Sequence, residues 1–127
     1  MIEWESLGTI DVERLKERFG KLNTDEVIVT HERIAHIKSH HLIDFPLFQQ
    51  HGANCVQDPD LIIEDCNQTG TVFMVRKLPD TSLNVVVRLS LESDKKHLKN
   101  SVMTFFRIRN RNLKKLIQKN RLLYSRE

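Results

Sequence analysis

Between residues 58 and 109 polar breaks cut the chain into four short apolar runs, and this punctuation limits the possible fold more than any other feature. Asp58-Pro59-Asp60 precedes Leu61-Ile62-Ile63, and Asn67-Gln68-Thr69-Gly70 precedes Thr71–Leu78. Pro79-Asp80-Thr81-Ser82 precedes Leu83–Leu91, and the charged stretch Ser93–Lys99 precedes Ser101–Arg109. The runs are rich in β-branched residues and the breaks in turn formers, which predicts an antiparallel meander of four strands.

Upstream the spacing is helical. Val12, Leu15, Phe19 and Leu22 fall at three- and four-residue intervals, with Asp11 placed to cap and Gly20 to terminate. Val27-Ile28-Val29 reads as a strand, and Thr30 as the N-cap of a helix ending near His41. Asp44 and Pro46 suit another helix start, with a stop at Gly52. Leu113, Leu116 and Ile117 on a basic background predict a final amphipathic helix over 111–120. The expected architecture is α+β: N-terminal helices packed on a four-stranded antiparallel meander sheet, with a basic C-terminal helix. A chain of 127 residues supports one domain, 1–127.

Hydrophobic residues make up 39% and charged ones 29%, as in a soluble globular chain, and no apolar run reaches membrane-spanning length. The acidic start Met-Ile-Glu-Trp-Glu is unlike a secretory leader. Cys55 and Cys66 lack CxxC spacing, so the expectation is two reduced thiols in a cytoplasmic protein. Charge is distributed unevenly. Residues 95–127 carry eleven Lys or Arg against one acid, whereas the first 94 carry nine against sixteen. Such a basic segment suits a polyanion such as nucleic acid, or it neutralises the acidic front of its own molecule.

Four of the six histidines lie within His31–His41. His36 and His40 are i, i+4 neighbours with Arg33 on the same side, while Ile34, Ile37 and His41 point to the other, core side. Zinc is disfavoured: HExxH needs Glu after the first histidine of the pair, Ile37 occupies that place, and no third ligand is evident. Imidazole titrates near neutrality and can exchange protons with a ribose hydroxyl or a leaving oxygen, while Arg neutralises phosphate. Among the strands, Thr104 is a lone hydroxyl on an apolar stripe, and Arg76, Lys77 and Arg88 interrupt apolar runs. Each of these features taken alone also fits a solvated side chain or an ordinary strand residue.

Taken together, the order of these pieces resembles the barnase–EndoU–colicin–RelE superfamily of small ribonucleases, most closely its phage and prophage group. The matching features are a strand leading to Thr30, His36-Ile37 on a helix with a second histidine after it, and Asp58-Pro59-Asp60-Leu61-Ile62 entering a strand. A basic residue late in the next strand and Thr104-Phe105-Phe106 complete them, over about residues 27–109. The resemblance implies RNA cleavage with no cofactor or metal, giving a cyclic phosphate through the 2′-hydroxyl. His36 would be base or acid and His40 the second histidine. Arg76 or Lys77 would stabilise phosphoryl charge, and Thr104 would hydrogen-bond the phosphate. Arg33, Arg88, Arg107, Arg109, Lys114 and Lys115 are the candidate RNA-binding residues. RNA, with tRNA among the candidates, is the expected partner, an acidic inhibitor protein is a further one, and no membrane is involved. Two competing readings are a non-catalytic nucleic-acid-binding domain and a phage-encoded interaction protein gripping an acidic partner.

Overall fold

The β-branched runs assemble into a sheet larger than their punctuation predicts. The computed structural model describes residues 3–126 and has a mixed α+β fold with one seven-stranded sheet. Its strands are β1 (Trp4–Thr9), β2 (Glu26–Thr30), β3 (Leu61–Glu64), β4 (Thr71–Lys77), β5 (Ser82–Arg88), β6 (Asn100–Ile108) and β7 (Arg121–Ser125). They lie in the order β1-β2-β6-β5-β4-β3-β7, and every neighbouring pair is antiparallel except β2 with β6. The helices are α1 (Lys16–Phe19), α2 (His31–His40), α3 (Phe45–Gln57) and α4 (Asn110–Lys119).

This corrects the expected four-stranded sheet preceded by helices. The chain opens with an edge strand, β1, and ends with another, β7. The helix expected between a cap at Asp11 and a stop at Gly20 shrinks to a 3-10 turn, Val12–Arg14, and the single turn α1. Only Leu15 of its apolar stripe is fully buried, while Val12 is exposed. Leu22 is buried too, but beyond Gly20, which takes φ +69° and ends α1, so little apolar burial is left to repay three helical turns. At Gly52 the expected stop is absent, because α3 runs on to bury Cys55 and Val56. Gly52 lies against the Phe48 ring, where even a methyl group would crowd it.

Pairing register assigns side chains to the two faces of the sheet. On one face Val85 lies opposite both Phe105 and Met74, and these join Ile37 of α2 and Phe48, Cys55 and Val56 of α3 in the main core. The other face carries a smaller core of Leu61, Ile63, Val75 and Ile108, closed by Leu113 of α4. Asn100, fully buried, joins distant segments: its amide nitrogen donates to the carbonyls of Thr24 and Glu26, and its oxygen accepts from the Ser90 N–H. In β1 the register slips between Ser6 and Gly8. Gly8 takes φ +96°, and any side chain there would strike Gln57, whose amide donates to the Leu7 carbonyl at 2.9 Å.

A carboxylate latch fixes the end of α3 to the C-terminus. Asp58 accepts from Arg76 at 2.9 Å and pairs with Arg126 at 2.8 Å, and Arg126 also reaches Asp60 at 2.9 Å. Hydrogen bonds from Arg76 and then Arg126 hold the Asp58 carboxyl below its ordinary value. A carboxyl depressed in the folded state contributes stability above its unfolded pKa, about 3.9, and loses it as pH falls through the folded value. Asp58→Asn should therefore lower the melting temperature at neutral pH and flatten its decline below about pH 4. Melting curves across that range that superimpose for the two proteins would remove the latch from the account of stability.

Candidate functional site

The local sequence dictates how α2 displays its histidines. The Thr30 hydroxyl caps the helix by accepting from the Arg33 N–H at 3.1 Å. Ile37 is fully buried and Ile34 packs against the core, which turns His36 and His40 out to solvent. Their rings stack with centroids 4.1 Å apart and 29° between planes. His40 Nδ1 lies 3.0 Å from the His36 carbonyl. A carbonyl only accepts, so Nδ1 carries the proton and Nε2 is the nitrogen left for exchange. Loss of water around its ring, followed by the charges of His40, Arg33 and His41, holds His36 below the ordinary histidine value. His41, expected to face the core, is the half-buried C-cap residue instead. His31 sits between two carboxylates of β1 and its approach, 3.1 Å from Glu3 and 3.4 Å from Glu5.

The other expected catalytic groups do not gather on this pair. Arg76 projects to the main-core face, where Asp58 engages its guanidinium. Lys77 projects to the opposite face and is exposed, and its backbone N–H donates to Asp60 at 2.6 Å. Thr104 pairs with Val86, so it leaves β6 on the face opposite Phe105. Among the described residues no hydrogen bond or ring contact joins Thr104 or Arg76 to either histidine.

The six expected RNA-binding residues divide in the same way. Arg33 is half-buried beside His36, close enough to depress its pKa. Arg107 lies 3.5 Å from Asp44 at the start of α3, and Arg88 is 2.6 Å from the Leu89 carbonyl and 3.6 Å from Asp94. Arg109, Lys114 and Lys115 stand exposed at the start and along the outer face of α4, together with Arg111 and Lys119. Among the described residues none of these five cations has an acidic partner within 4.0 Å. Among the described residues the helix thus makes no direct ion pair with the acidic front of the molecule.

Among the described residues no three His, Cys, Asp or Glu side chains converge as metal ligands would. Cys55 and Cys66 are both free thiols; burial pushes Cys55 up to about 12, while Cys66 is exposed. Among the described residues no helix is long and apolar enough to cross a membrane. Sequence reading missed the β1 carboxylates around His31 and the latch on Arg76, since both join residues far apart in the chain. The chain matches no family model, and no curated protein or solved structure matches it.

Proposed function

We propose that this protein binds RNA and cleaves it without a metal, by attack of a ribose 2′-hydroxyl on the adjacent phosphate. The observation that carries this reading is the solvent-facing His36–His40 pair with Arg33 beside it. His36, held toward its neutral form, takes the 2′-hydroxyl proton as the oxygen attacks phosphorus. His40, as the imidazolium with protons on both ring nitrogens, gives its Nε2 proton to the departing 5′-oxygen and keeps the one on Nδ1, leaving a 2′,3′-cyclic phosphate. Arg33 neutralises the phosphoryl oxygens, a role that Arg76 cannot fill while it braces Asp58. The unpaired cations of α4 hold flanking phosphates.

A second reading, binding without cleavage, draws support from the separation of Thr104 and Arg76 from the histidines. One experiment separates the two. The protein, incubated with RNA in excess EDTA, is expected to yield fragments ending in cyclic phosphate. Lys114→Glu combined with Lys115→Glu should weaken RNA binding at least tenfold and reduce the salt dependence of the affinity by about two units of slope. Intact RNA at high protein concentration, with binding that still depends on Lys114 and Lys115, would favour binding alone. Unchanged binding in the double variant would remove α4 from the interface.

A further inference from the structure

The sheet face opposite the main core is only half covered. Leu113 of α4 closes it over β3, β4 and the end of β6, while among the described residues the smaller core takes no side chain from β1, β2 or the start of β6, where Ile28 is buried beneath more exposed neighbours. Register brings several chemically distinct groups together there. Trp4 lies opposite Thr30, Ser101 lies opposite both Ile28 and Arg88, and Thr104 follows on the same face. Trp4 is 43% exposed, and the Lys99 ammonium stands 5.4 Å from its ring centroid. A cleft of about 150 Å³ opens between Arg88, Asp94, Lys99 and Ser101, with Arg88 and Asp94 3.6 Å apart across it. The loop at its rim adds Lys95 and Lys96, both exposed and without an acidic partner among the described residues.

We infer that this open half-face is a binding surface for single-stranded RNA, with Trp4 as the stacking platform and Lys95 and Lys96 as phosphate contacts. This rests on the RNA-binding part of the reading above; the surface lies on the sheet face opposite the one that α2 packs against, so it holds the strand and takes no part in the cleavage step. An exposed indole offers a flat π-surface that any unpaired base can stack on, and Lys95 and Lys96 supply the phosphate term, since Lys99 is paired with Glu26 and Arg88 with Asp94. The hydroxyls of Ser101 and Thr104 lie on the same floor, where a ribose 2′-hydroxyl or a phosphate can meet them. Thr104 thereby gains an RNA-facing position that does not require contact with His36. Single-stranded RNA is the fitting occupant because the surface couples cations to an aromatic plane; an acidic protein segment would use the cations and leave the indole idle.

Trp4 is the only tryptophan, so its fluorescence reports on this surface in the unmodified protein. Titration with a short end-labelled oligouridine should quench Trp4 emission over the same concentration range in which the label's anisotropy rises. Trp4→Ala should weaken that binding about tenfold, and Trp4→Phe, which keeps an aromatic face, by much less. A perfectly paired RNA duplex should bind with little quenching. Anisotropy that rises while Trp4 emission stays constant would overturn this surface and leave RNA binding through α4 standing. No rise in anisotropy would overturn both. Quenching by polyglutamate equal to that by the oligonucleotide would assign the surface to acidic protein instead.

Discussion

Replacing His36 with alanine is expected to slow RNA cleavage by about 10²- to 10⁴-fold, the contribution of a positioned proton-transfer group. The side chain is solvent-facing, so the substitution should leave thermal stability within about 0.5 kcal/mol of the parent, and lost activity would not reflect unfolding. The pH profile gives a second readout. His36 is held below its ordinary value of about 6.5, and the base must be neutral to act, so cleavage should persist below that pH before falling. Stability carries the same sign: the folded state favours the neutral ring, so its contribution is complete above the unfolded value and is lost as pH falls through the folded one. His40→Ala removes the stacked ring and its charge, and should move the acidic limb of the cleavage profile up toward the ordinary histidine value. Residual cleavage equal to that of the parent in His36→Ala would end the histidine-base mechanism.

The largest effect on stability is expected at Phe105. Its side chain is fully buried in β6, with its ring centroid 5.3 Å from that of Phe48 in α3, so it joins sheet to helix at the centre of the main core. Truncation to alanine loses the transfer energy of the ring and leaves a cavity, together about 3–5 kcal/mol. Against a typical total of about 5–15 kcal/mol, that brings the protein close to unfolding at physiological temperature. Met103→Ala, two residues away at an exposed position, should change stability by no more than about 0.5 kcal/mol. Urea denaturation of the three proteins tests both values; a cost below about 1 kcal/mol at Phe105 would contradict the register assigned to β6.

The strands from Leu61 to Ile108 could be read from the sequence because each is apolar and ends at turn residues. The helix at α4 was equally legible from Leu113, Leu116 and Ile117. The edge strands were not. Trp4–Thr9 buries no residue completely, so its pairing with β2 rests on backbone hydrogen bonds that impose no hydrophobic pattern. Arg121–Ser125 hides a Leu-Leu-Tyr run within a basic tail, past the helix expected over 111–120. At the candidate site the outward display of His36 and His40 followed from helical spacing. The commitment of Arg76 to Asp58 did not, because their meeting is set by how α3 returns against β4. The placement of Thr104 was half visible: strand alternation put it opposite Phe105, but nothing in the sequence said which of those two faces the helix α2 would cover.

The parallel contact between β2 and β6 also bears on the order of events during synthesis. Val27 and Ile28 pair with Asn100 and Ser101, so in a nascent chain β2 waits until β6, made only after β3, β4 and β5, has left the ribosome. Until then the Val27–Val29 segment, buried at maturity, has only β1 as a sheet neighbour. Closing so long a loop is entropically slow, and an apolar strand waiting with an open edge is a template for the wrong partner. The buried Asn100 clasp is the contact that ends this exposure, joining the two ends of the molecule's longest wait.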